Sequence, residues 1–132
     1  MNIVLDVSGA VSTLLQDEKK GTFKDYLSEA DFIIAPELFV VELGNVMWKY
    51  VRFQNMSEPK ARQVLVSGLD MIDEFVPDLT LIDEAVRLAI QTRHPVYDCL
   101  YLTLALKTGY SILSHDKKLK SLAHSLKIGV AQ

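Results

Sequence analysis

The sequence predicts an α/β fold in which a short, mostly parallel sheet is flanked by helices, and three observations carry that prediction. Apolar runs at residues 3–5, 32–35 and 110–114 are the right length for buried strands, and each is closed by a polar or chain-breaking residue. Longer stretches between them are apolar or amphipathic and read as helices. Alternation of this kind builds parallel sheets, because a parallel connection needs a crossover long enough to hold a helix.

Each element has its own signal. Ile3-Val4-Leu5 ends at Asp6, and Ser8-Gly9 followed by a mixed segment through Leu15 reads as a turn and then a helix. The run from Phe32 is stopped by Pro36, and residues 37–53 read as a long, largely apolar helix with proline near its start. Ser57-Glu58-Pro59 offers an N-cap and first turn for a helix reaching Glu74, and Thr80 with Asp83 offers a near capping box for a third. Residues 97–107 are again apolar and helical, with Gly109 placed as a stop before the strand at 110–114. Leu119, Leu122, Ala123 and Leu126 fall on one face of an amphipathic helix over 117–127, and residues 128–130 read as a last short strand. No repeat, linker or low-complexity stretch intervenes, so residues 1–132 are read as a single domain.

Composition narrows the function classes. At 49% hydrophobic and 23% charged residues, the chain is neither disordered nor fibrous, and its 132 residues suffice to bury a core. No apolar run approaches the roughly 20 residues that cross a bilayer, and no positively charged run opens the sequence, so a cytoplasmic protein without a membrane partner is expected. Cys99 is the single cysteine, which excludes an intrachain disulfide and a paired-cysteine zinc site, and His94, His115 and His124 are too scattered to complete one. The net charge of −3 argues against indiscriminate binding to nucleic acid. It leaves room for a nuclease, whose site is built from acids that a bound cation partly cancels.

Four of the 17 acids stand where solvation does not explain them. Glu42 is embedded in the apolar run from Leu38 to Trp48, where an unpaired charge would cost on the order of several kcal/mol, so it needs a partner. Asp98 is set in Val96-Tyr97-Asp98-Cys99-Leu100, or alternatively serves as a first-turn acid on a helix dipole. Asp6 and Asp116 each follow a strand, where an N-cap or turn role competes with function, but ligands of open parallel sheets gather at these carboxyl ends. Four carboxylates converging on one point would raise their own pKa values unless a hard cation sat among them. Mg²⁺, with Mn²⁺ as an alternative, fits an all-oxygen site and keeps water for in-line attack on a phosphodiester.

Asp6-Val7-Ser8 after the first strand, Pro36 and Glu42 in Pro36-Glu37-Leu38-Phe39-Val40-Val41-Glu42-Leu43-Gly44-Asn45, Tyr97-Asp98-Cys99-Leu100-Tyr101-Leu102, and Ser114-His115-Asp116-Lys117-Lys118-Leu119 together resemble the PIN-domain nucleases. The match runs from one end of the chain to the other and looks most like the VapC-type toxins of toxin–antitoxin pairs. What the resemblance implies is a PIN-like three-layer fold and a Mg²⁺-dependent endoribonuclease in which Asp6, Glu42, Asp98 and Asp116 hold the metal. It also implies an RNA substrate, a homodimer, and a cognate antitoxin that neutralises the site with a basic side chain. Ser8 and Ser114 match the family's hydroxyl positions, Ser8 to bond the site or a phosphate and Ser114 to orient a metal-bound water or Asp116. Val7 and His115 depart from the small or hydroxyl residues common at their positions, which bears on metal affinity or pocket shape without removing a ligand. The rival reading within the same fold is a catalytically silent protein- or RNA-binding module, which would normally have lost one of the four acids. A haloacid-dehalogenase-like phosphatase would need a second acid where Ser8 stands. Lys117, Lys118 and Lys120 flank Asp116 and read as phosphate contacts or a solvated face, and Trp48 reads as core or dimer interface.

Overall fold

The structure, a computed structural model, describes residues 1–15 and 22–131. Its elements are β1 (Asn2–Leu5), α1 (Val7–Leu15), α2 (Thr22–Glu29), β2 (Phe32–Pro36), α3 (Leu38–Phe53), α4 (Glu58–Asp70), β3 (Glu74–Val76), α5 (Ile82–Thr92), α6 (Val96–Thr108), β4 (Ser111–Leu113) and α7 (Lys117–Ser125). The four strands form one sheet in the order β3-β2-β1-β4. All pairs are parallel, with Val4 opposite Ile34 on one side and opposite Ile112 on the other.

Burial follows from that topology. Ile3, Val4 and Leu5 of β1 are all fully buried, so side chains pointing to either face of the sheet meet a covering layer, as expected of a parallel strand between helices. Helix α6 packs on β1, β2 and β4 and is buried continuously from Cys99 to Ala105, which is why its sequence is apolar without a clear polar stripe. Helices α1, α3 and α4 pack on one another, and α5 packs on α6.

Several elements differ from the sequence-based expectation. The helix capped by Ser57, whose hydroxyl accepts from the Lys60 amide, ends at Asp70 instead of Glu74. Asp73 then latches onto β2: its carboxylate accepts from the Ile33 amide at 2.8 Å and its own amide donates to the Ile33 carbonyl at 2.7 Å, which starts β3. A three-residue strand carrying a glutamate gives no usable periodicity. Thr80 does not cap α5; its hydroxyl donates to the Pro77 carbonyl at 2.7 Å within a 3₁₀ turn, Asp78–Thr80. The expected last strand shrinks to a single parallel bridge between Ile112 and Val130. Helix α2 is not among the elements expected from sequence.

Candidate active site

The sheet order places a topological switch between β1 and β4: the chain moves from β1 outward through β2 to β3, then returns to the other side of β1. Crossovers leave in opposite directions at such a point, and a crevice opens at the carboxyl ends of the two strands. Asp6 is the residue after β1, and Asp116 stands three residues after β4. Both line a cleft of about 420 Å³. Glu42 enters it from α3 and Asp98 from the first turn of α6, so the structure brings all four sequence-predicted acids onto one wall system, with Ser8 beside them. Ser114 is completely buried just behind.

Asp6 is the best-anchored of the four. One carboxylate oxygen accepts from the Gly9 amide at 2.8 Å and from the Ser8 hydroxyl at 2.8 Å, and the other accepts from the Ser114 hydroxyl at 2.5 Å. Each serine oxygen in turn accepts a main-chain amide from the loop after β4, Ser8 that of His115 at 2.9 Å and Ser114 that of Asp116 at 3.0 Å. The two serines therefore stitch the β4–α7 loop to the β1–α1 turn and hold Asp6 in place. Asp116 caps α7 by accepting from the Lys118 and Leu119 amides with one oxygen. Its N-cap role and its place in the cleft coexist, because a single oxygen does the capping.

Glu42 has the partner its setting demanded. The Tyr101 hydroxyl donates to it at 2.6 Å, from one turn along the same helix that carries Asp98. Sequence alone does not single out Tyr101, although its position three residues after Asp98 puts the two on one helical face. Asp98 is approached by the His94 imidazole at 4.0 Å.

The electrostatics tie the four together. Burial pushes the Asp6 carboxyl up to about 6, the Asp116 charge adds to it, and the donors Ser114, Gly9 and Ser8 offset only part. Glu42 is raised by burial, against the Tyr101 hydrogen bond, with the charges of Asp6, Asp98 and Asp78 adding. Asp98 is raised by burial and by Asp116, with His94 and Lys118 opposing. Tyr101 is held well above its ordinary value by burial and by Glu42, so it stays a donor. Each acid thus stands within the field of at least one other, the condition under which a cation is most strongly attracted.

The donor set suits a hard cation: four carboxylates, with hydroxyls supporting Asp6 and Glu42 and no cysteine or histidine nitrogen among the four. As they stand, no three His, Cys, Asp or Glu side chains among the described residues converge tightly enough to enclose an ion. The four acids thus line an open acidic pocket without closing around a common point.

One other expectation meets the structure here. Trp48 is not core, since 57% of it is exposed, and it stacks edge-on against Phe53 on the outer face of α3. Tyr50, two residues on, lines the cleft instead.

A parallel α/β sheet with paired acids at its switch point defines a protein whose ligand site is acidic and open to a cation. The PIN domain family matches residues 3–125, and the chain belongs to that family. It is 26% identical over 125 residues to "Ribonuclease VapC3" from Pyrobaculum aerophilum, covering 90% of this chain and 92% of the relative. Among solved structures, the crystal structure of PAE2754 from Pyrobaculum aerophilum superposes with a TM-score of 0.71 at 21% identity, covering 92% of this chain and 86% of the other.

Proposed function

We propose that this protein is a Mg²⁺-dependent endoribonuclease, with Mn²⁺ able to substitute, that hydrolyses RNA phosphodiester bonds as the toxin of a type II toxin–antitoxin pair. The observation that carries the reading is the convergence of Asp6, Glu42, Asp98 and Asp116 on one cleft in which each is within the field of another. The PIN domain match and the ribonuclease named among its relatives support it. When bound, the metal would supply an activated water and a counter-charge for the phosphate. Asp6, Glu42, Asp98 and Asp116 would hold it. Ser8 and Ser114 fix the Asp6 oxygens, Tyr101 fixes Glu42, and the Asp116 amide bond to Ser114 fixes the loop that carries the fourth acid. These contacts fix Asp6 and Glu42 in advance, as preorganised catalysis requires, while holding an ion would draw the four acids closer together.

The partners follow from the same reading: RNA in the cleft, a cognate antitoxin and a second copy of the chain, in the cytoplasm. Exposed apolar side chains on α3 and α4, including Trp48, Phe53 and Val66, supply surface for such contacts. No helix among the described residues is long and apolar enough to cross a membrane.

The openness of the acidic cluster favours a second reading, a silent PIN-fold binding module. Cleavage of a structured RNA pool with Mg²⁺, with Mn²⁺ and with EDTA separates the two. Cutting that needs metal and falls at least roughly a hundredfold in Asp98→Asn supports the nuclease. No cutting by folded, metal-loaded protein would leave the module, and cutting that survives Asp98→Asn would move the active site elsewhere.

A further inference from the structure

No lysine or arginine lines the acidic cleft among the described residues, yet the proposed substrate is a polyanion. Its attraction must come from the flanks. A second depression, about 420 Å³, lies between the end of α5 and α7 and is lined by Thr92, His94, Lys117, Lys118, Ser121 and Ser125. Two of these residues act on Asp98, which lines the acidic cleft. His94 reaches within 4.0 Å of Asp98, and Lys118 follows Asp116 by two residues and acts electrostatically on Asp98. The depression is thus a neighbour of the cleft, linked to it through the His94–Asp98 approach and the step from Asp116 to Lys117.

Its free donors can be enumerated. The Thr92 hydroxyl is spent on the Leu88 carbonyl at 2.7 Å and that of Ser125 on the Leu122 carbonyl at 2.7 Å. The Lys118 and Leu119 amides of α7 are taken by Asp116. What remains is the pair of exposed ammonium groups, neither within ion-pair distance of a described acid, together with the Ser121 hydroxyl and the His94 ring. Two ammonium groups with a hydroxyl suit one phosphodiester oxygen pair, and they carry no base-reading geometry.

Resting on the nuclease reading above, we infer that this recess binds a backbone phosphate of the RNA strand next to the one in the acidic cleft, with Lys117, Lys118 and Ser121 as its positioning residues. The strand is then held at two points, which fixes its register over the acids without selecting a sequence.

The test compares wild type with Lys117→Ala/Lys118→Ala and with Ser121→Glu, which places a like charge against the phosphate. Steady-state cleavage of a single-stranded RNA dodecamer with Mg²⁺ is read as KM and kcat separately, and anisotropy of the labelled dodecamer in EDTA is read against KCl. Lys60→Ala, at an exposed position of α4, is the control. The expected result is a KM raised on the order of tenfold, kcat within about twofold, and a salt slope lowered by about 0.7 for each phosphate no longer neutralised. Unchanged KM and slope in both recess variants, or an effect equal to that of Lys60→Ala, would overturn the recess. Failure of the wild type to cut any RNA would sink the nuclease reading itself, which the cleavage arm reports independently of the variants.

Discussion

At the scale of single residues, the site is a buried carboxylate with its donors already chosen. Asp6 is 7% exposed and accepts from two hydroxyls and an amide, all of which favour its charged form, yet burial still lifts it to about 6. Ser114→Ala removes the strongest of those donors and leaves the Asp116 amide without its acceptor. A charged form that loses a hydrogen bond becomes harder to reach, so the Asp6 pKa rises further. Because metal binding needs the ionised acid, the acid limb of the pH–rate profile should move to higher pH, and stability should fall by about 1–3 kcal/mol. An acid limb that stays in place in Ser114→Ala would show that Asp6 does not govern it. Tyr101→Phe tests the matching contact on Glu42: it keeps the ring in a nearly sealed core position and removes one donor, so kcat/KM should fall roughly tenfold to a hundredfold with Tm little changed. Equal activity in the phenylalanine variant would reduce Tyr101 to packing.

At the scale of elements, the position of helix α1 is set by Gly9. A Cβ there would lie 2.9 Å from the main-chain oxygen of Leu113 and 2.9 Å from a Leu5 methyl. The first of these cannot step aside, because it belongs to β4, where Leu113 is paired with Leu5. Gly9→Ala should therefore cost about 1–3 kcal/mol and push α1, with its Asp6-bonded amide, away from the cleft. Thermal melting together with cleavage checks this, and a variant with wild-type Tm would mean that the close approach is not enforced. The same scale shows what can be read from sequence. Strands β1 and β4 and helices α3 and α6 announce themselves because each is a long or strongly apolar run, β1 closed by Asp6 and α6 by Gly109. Glu42 and Asp98 are legible for the same reason, as charges in apolar surroundings. Strand β3 is hidden because its start is fixed by Asp73 bonding to Ile33, forty residues away, a contact with no local signature. Tyr101 is hidden because a tyrosine in a buried helix gives no sign of where its hydroxyl points. Of the two sequence readings of Trp48, core or dimer interface, the first fails because α3 turns that face outward.

At the scale of the whole molecule, the acidic cleft works against folding once its carboxyls ionise. A carboxyl whose pKa is raised by folding contributes its full stability below the unfolded value near 4, and that stability is lost as pH rises through the folded value, here about 6. For Asp6 a shift of about two units corresponds to about 3 kcal/mol by neutral pH, and Glu42 and Asp98 are shifted in the same direction. The metal-free protein should therefore melt lower at pH 7.5 than at pH 5. Mg²⁺ should raise Tm at pH 7.5 and much less at pH 5, since a ligand of the folded state at a hundred times its Kd adds about 2.7 kcal/mol and binds only ionised acids. Asp6→Asn removes the largest of these penalties while keeping an acceptor for the Gly9 amide. In EDTA it should be more stable than wild type at pH 7.5, by an amount that shrinks towards pH 5, and it should gain less from Mg²⁺. Differential scanning calorimetry of both proteins at the two pH values, with and without Mg²⁺, measures all of this. If Asp6→Asn were less stable than wild type at pH 7.5 in EDTA, the hydrogen bonds to the charged carboxylate would outweigh its burial, and the cleft would have to be regarded as a finished structural network instead of one strained towards a metal.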